Sequence, residues 1–244
     1  MKIHSCSSYQ KGFLDGIPIG LGYLSVSFTF GMIAVNMGIP VWGAVLISMT
    51  NLTSAGQFAG LSLIVSGAPL IEMALTQLTI NLRYALMSLS LSQKLHPSVG
   101  LIQRLGIAFG NTDEIFALAM QQPEEITTRY WFGLMTVPFF GWVGGTFLGG
   151  AASTILPDAL RSALGIAIYG MFLAVILPPA REHRSIRAAV LIAAIISCLC
   201  YYLPVLNRLS SGFVIILCAL VASTVMAILA PIQAEDTAEQ EVQR

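Results

Sequence analysis

Charge is what this chain has least of. Asp, Glu, Lys and Arg make up only 10% of its 244 residues, against about 25% in an average soluble domain. Its 12 basic residues balance its 12 acidic ones and are scattered along the chain, which leaves no electrostatic footprint for nucleic acid. Histidine occurs only as His4, His96 and His183, all beside the apolar runs. No imidazole is therefore available inside a membrane for a Ser/His pair or a two-histidine metal site. Cys6, Cys198, Cys200 and Cys218 contain no CxxC pair and read as small apolar fillers. A GxxxxGK[ST] loop is missing too, so energy for any transport would come from a gradient or from the solute's own concentration difference. No cofactor is expected.

Apolar length is what the chain does have. Hydrophobic residues make up 56% and the mean hydropathy is +0.79, which predicts an all-α integral membrane protein. Runs of spanning length lie near 17–37, 41–66, 69–91, 128–156, 159–180, 185–203 and 211–232, giving a polytopic bundle of seven or eight transmembrane helices. The first run opens with Gly and Pro, continues too long for a signal-peptide core and ends without an AxA-like site, so it reads as a retained span. Residues 1–10 form a polar N-terminal segment, 11–232 a single transmembrane domain, and 233–244 an acidic tail that cannot bury an apolar face.

The stretch 104–120, RLGIAFGNTDEIFALAM, decides the count. If it crosses, there are eight spans with both termini cytoplasmic; if not, there are seven with the N-terminus outside. Both readings put seven basic residues inside and four outside, so the positive-inside rule does not choose between them. Both place the arginines at 181, 184 and 187 and the C-terminus in the cytoplasm.

Arg83 lies near the middle of one run. A central arginine costs about 2.5–3.5 kcal/mol on insertion scales and by default marks a solute path. Gln77, Asn81, Tyr84 and Ser88 recur at helical spacing beside it, so one side of this helix is polar and cannot face lipid. Interruptions are expected at Pro18 and Gly22 in the first run, at Gly56 in the second and at Gly110. Such breaks at membrane depth are tolerated where backbone is packed in protein or lines a wet cavity. In the second run Thr50, Thr53, Ser54 and Gln57 share a face with Asn51 beside them, either as a hydrogen-bonding surface for a polar solute or as interhelical bonding. Gly141, Gly145 and Gly149, spaced by four, read as a smooth strip for close helix contact. LGIAFG at 105–110 and LGIAIYG at 164–170 hint at a duplication.

In GNTDEIF, Gly110 ends one helical piece and Asn111 or Thr112 can cap the next, whose first turn holds Asp113 and Glu114. Glu72 is eleven residues from Arg83, about 16 Å along one helix, so the expected counter-charges for Arg83 are Asp113 and Glu114, with Asp15 and Asp158 behind them. A buried carboxylate beside a solute site would also suit proton coupling.

Four motifs together, GxPIxxGYxxxxFxFG at 16–31, SAGQF at 54–58, NLRYxLMSxSL at 81–91 and GNTDEIFA at 110–117, resemble the AzlC family, the large subunit of branched-chain amino-acid exporters. The resemblance covers about 11–232, with the second half matching only in hydropathy and small residues. It implies a bacterial inner-membrane permease exporting leucine, isoleucine, valine or related apolar amino acids, working with a small AzlD-type membrane subunit. A zwitterionic solute needs a cation or helix N-terminus for its carboxylate, oxygen acceptors for its ammonium and an apolar pocket. Asn51, Ser54, Gln57, Asn81, Arg83 and Tyr84 are the candidate solute contacts; Asp113 and Glu114 are candidates for an ion pair or proton coupling; Phe28, Phe58, Met87 and Phe116 could line the pocket. Two other classes fit the residues less well: an integral-membrane enzyme on a lipid-like substrate, which lacks a membrane histidine, and an assembly subunit with no solute path.

Overall fold

The computed structural model describes residues 8–153, 155, 157, 173, 176–177, 180–203, 206 and 209–229. Among these every regular element is helical: α1 (Tyr9–Asn36), α2 (Val41–Thr50), α3 (Ser54–Val65), α4 (Leu70–Lys94), α5 (Leu101–Phe109), α6 (Asp113–Met120), α7 (Thr128–Ser153), α8 (Arg184–Tyr202) and α9 (Ser211–Leu229). Four of them, α1, α7, α8 and α9, are long and apolar enough to cross a membrane. With 25 residues, α4 extends about 37 Å and exceeds the hydrocarbon thickness of about 30 Å. The chain is an all-α membrane protein. Asp158, most of the expected run 159–180, the repeat at 164–170 and residues 1–7 and 233–244 lie outside the described residues.

Two compact units divide the chain, one of Met1–Gly67 with Ile80–Gly170 and one of Ala68–Thr79 with Met171–Arg244. In the first, α1 and α7 lie side by side along their lengths. Gly12, Gly16 and Gly20 of α1 meet the α7 backbone at Tyr130, Leu134 and Val137, while Gly141, Gly145 and Gly149 of α7 meet Gly20, Leu24 and Phe28. Contacts rise together in both helices, so α1 and α7 are parallel. The glycine strip on α7 has the packing role its spacing predicts.

Their common starting end is the N-face, and the other end is the C-face. α1 runs without interruption through Pro18 and Gly22, contrary to the expected break, because in lipid a backbone keeps its hydrogen bonds internal and α7 braces the glycine side. Gly38, at φ +93°, then turns the chain at the C-face.

The second apolar run departs most from its sequence reading, because it does not cross. α2 and α3 are half-helices of 10 and 12 residues. Ala44 near the start of α2 and Leu61 late in α3 share one core cluster with Phe30 and Ala34 of α1. Leu52, between the two arms, instead packs on Tyr23 and Trp142. The arms therefore descend from the C-face to mid-depth and return. The interruption falls at Asn51–Thr53, where Asn51 Oδ1 accepts from Thr53 N (2.9 Å) and Thr53 Oγ1 (2.7 Å), and Gly56 lies inside α3.

α5 and α6 form a second hairpin, entering from the N-face. Ile126 N donates to Lys94 O (2.9 Å) and His96 N to Ile126 O (3.0 Å), Lys94 Nζ reaches Met120 O (2.6 Å), and Lys11 Nζ reaches Gln122 Oε1 (2.7 Å). The end of α4, the end of α6 and the starts of α1 and α7 thus share one face. Gly110, at the tip, packs on Met135. A core of Leu91, Ile107, Ile115, Tyr130, Trp131 and Leu134 holds this hairpin against α4 and α7.

The second unit contains the start of α4 with α8 and α9. Glu72, 3% exposed, accepts through Oε1 from the Ser210 hydroxyl and from Gly212 N (3.1 Å), which ties the start of α9 to the first turn of α4.

Candidate functional site

Both hairpin tips arrive at the depth where the long helices have their midpoints, and Tyr23 joins them. Tyr23 is 8% exposed and its ring sits edge-on to Trp142 at 5.3 Å, beside Leu52 of the first tip. Its hydroxyl lies 2.5 Å from Glu114 Oε2 and 2.7 Å from Thr112 Oγ1 of the second tip. With one hydrogen to give, Tyr23 donates to the carboxylate and takes the Thr112 hydrogen.

Arg83 also meets the second tip. Its Nη2 lies 2.8 Å from Asp113 Oδ2 and donates to Tyr84 Oη (3.1 Å), with the guanidinium over the Tyr84 ring at 4.9 Å. One turn further on, Asn111 Nδ2 donates to Ser88 Oγ (3.0 Å). Leu82, Leu86 and Leu89 are exposed on the other side of α4, so lipid receives leucine while the polar face turns to the hairpin. The ion pair is half open, with side-chain exposures of 50% and 42%, and Glu114 is exposed. Arg83, Asp113 and Glu114 together carry a formal charge of −1.

Gln57 is 1% exposed and belongs to a chain of buried hydrogen bonds. Trp142 Nε1 donates to its Oε1 (2.9 Å), its Nε2 donates to Ser48 Oγ (2.5 Å), Ser48 lies 2.7 Å from Thr146 Oγ1, and Thr146 donates to Trp142 O (3.0 Å). That chain joins α2, α3 and α7. Asn51 is engaged within the tip turn, Ser54 opens α3, and Asn81 sits half-buried on α4. Of the residues singled out from sequence, Arg83, Tyr84, Asp113 and Glu114 come together. Tyr23 had a signal in its motif; Trp142, between Gly141 and a valine, had none.

Two half-helix N-termini, those of α3 and α6, therefore start at mid-depth, as do the carbonyl ends of α2 and α5. No acidic residue occupies the first turn of α3, whereas α6 carries two. The first tip thus carries no charged side chain, and the second carries two carboxylates, one of them paired with Arg83.

No solved structure matches the chain. An uncharacterized membrane protein of Archaeoglobus fulgidus is 35% identical over 193 residues, covering 77% of this chain and 84% of that protein. The inner membrane protein YgaZ of Escherichia coli K12 is 26% identical over 207 residues, covering 82% and 84%. An uncharacterized membrane protein of Helicobacter pylori 26695 is 28% identical over 148 residues, covering 58% and 64%. The AzlC protein profile matches residues 18–156, a stretch that holds both hairpins, Arg83 and most of α1 and α7, and the chain belongs to the AzlC family.

Proposed function

We propose that this chain is a secondary transporter that exports branched-chain or similar apolar amino acids, such as leucine, isoleucine and valine, across the cytoplasmic membrane. The observation that carries this is the meeting of two opposed hairpins at mid-depth beside a half-open Arg83–Asp113 pair. Irregular backbone and charge at that depth are tolerated only where they line a wet path or are covered by protein. The solute carboxylate goes to the N-terminus of α3 with Ser54 and to Arg83; its ammonium goes to the acidic tip with Asp113 and Glu114. Asn51 and Gln57 hold the first tip in shape, Asn81 and Tyr84 flank Arg83, and Asp113 and Glu114 are the carboxylates on which proton coupling would act. This is binding and gating rather than catalysis.

Among the described residues of the first unit, the N-face carries Lys11, Lys94, Arg104 and Arg129, and the C-face carries no basic residue. The positive-inside rule then makes the N-face cytoplasmic. We keep the arginines at 181, 184 and 187 and the C-terminus cytoplasmic, as the sequence reading has them. The exposed leucines of α4 leave a face for the small AzlD-type subunit that we include in the working assembly.

The test is the intracellular level of leucine, isoleucine and valine in cells fed branched-chain dipeptides, with the gene deleted, restored, or restored as Arg83→Ala or Arg83→Lys. Accumulation on deletion, reversed by the wild-type gene and not by Arg83→Ala, is expected. Arg83→Lys keeps the charge without the fork and should restore only part of the export. Equal levels in all strains would remove the branched-chain assignment.

A further inference from the structure

The α5–α6 tip has more acceptor capacity than the protein fills. Asn111 is 4% exposed, and while its Nδ2 is used by Ser88, its Oδ1 has no hydrogen-bond partner among the described residues. A buried amide oxygen left bare is costly, so its environment calls for a donor or a cation. The surroundings choose between these. The C-terminal end of α5, with the negative end of its dipole, stops at Phe109, two residues before Asn111. Glu114, one turn along the tip, has a hydrogen-bond partner in the neutral Tyr23 hydroxyl, while Arg83 is spent on Asp113. The formal charge of Arg83, Asp113 and Glu114 together is −1.

We propose that this tip is a binding site for one compact monovalent cation, an alkali ion or the ammonium group of the solute, with Asn111 Oδ1 and a Glu114 carboxylate oxygen as its donors. Hard oxygen donors, one neutral and one charged, suit sodium or a primary ammonium equally. Broken helices that offer carbonyl ends at mid-depth are a general solution for holding such ions in membranes. The site is the one invoked for transport, but occupancy by a cation does not require that flux follows.

The experiment uses the full-length protein purified in detergent and measures its thermal midpoint against sodium chloride and against isopentylammonium chloride. Ionic strength is held constant with choline chloride, whose quaternary cation carries no N–H to donate and is not compact. A saturable rise with sodium in the wild type assigns an alkali ion; a rise with isopentylammonium alone assigns the solute's ammonium. Asn111→Ala and Glu114→Gln should each weaken the response by about tenfold or more, since ligand number and charge set cation affinity. Asn111→Asp, nearly the same size and more negative, should keep or tighten it, which separates a lost ligand from a damaged fold. Glu72→Gln, outside the site, should leave the cation dependence unchanged. No rise with either cation, or a rise that survives both Asn111→Ala and Glu114→Gln, overturns the proposal. Because the readout is binding, a protein that responds to sodium yet moves no amino acid would sink the transport reading while leaving this one standing.

Discussion

If the two apolar hairpins return to the faces they came from, loops that hydropathy would place on opposite sides of the membrane lie on the same side. α5 has nine residues and α6 eight, about 14 and 12 Å, each less than half of the roughly 30 Å hydrocarbon core. Laid end to end with residues 110–112 between them the two would just span it; folded back they reach its centre, as the Asp113 contact with Arg83 requires. Ser98 precedes the hairpin and Glu124 follows it, both exposed, and Met37 and Ser66 bracket the α2–α3 hairpin in the same way. Single cysteines at these four positions, with the native cysteines replaced, would be treated in intact cells with a membrane-impermeant maleimide. Met37→Cys and Ser66→Cys should label together from outside, while Ser98→Cys and Glu124→Cys label only after permeabilisation. A split within either pair means that hairpin crosses and refutes the topology. A reversal of both pairs would mean that the hairpins are right and the orientation wrong.

Two further outcomes test the packing. Trp142→Phe leaves Gln57 Oε1 buried without its indole donor, which should lower stability by about 1–3 kcal/mol, read as the thermal midpoint of purified protein; an unchanged midpoint would mean that the buried chain of hydrogen bonds does not hold the first tip. Gly145→Ala places a methyl group against the Leu24 carbonyl, whereas a Cβ at Gly144 meets nothing within 4 Å. Gly145→Ala should therefore cut the yield of folded protein while Gly144→Ala does not, and equal yields would contradict the close α1–α7 contact.

Much of the centre was legible from sequence because physical cost makes it conspicuous. A charged residue amid leucines announces itself, and Asp113 followed from eliminating Glu72 by distance. α4 and α7 were visible by length, and α1 starts earlier than hydropathy suggested because Ser8 caps it. The break at Gly110 with a cap at Thr112 was legible, but the doubling back of the hairpins was not, since an apolar run has the same hydropathy whether it crosses or returns. What separates those cases is contact between Ala44 and Leu61, or between Lys94 and Met120, and such pairings leave no local signature. For the same reason Pro18 and Gly22 read as a break: the α7 backbone that braces α1 at Gly12, Gly16 and Gly20 is more than 100 residues away in sequence. Trp142 and Asn111 matter through partners on other helices, which composition cannot supply.

Glycine-to-backbone contact along α1 and α7 also restricts how the protein can move. Sliding α7 by one to three residues brings a side chain against an α1 carbonyl at nearly every crossing, and even a four-residue slide, about 6 Å, would set Val137 where Gly133 now meets Tyr9. The pair therefore has one register and behaves as a fixed post. Within the first unit, a change of access between the two faces therefore asks the half-helices to give up their hydrogen bonds and apolar contacts with α7 while the post stays still.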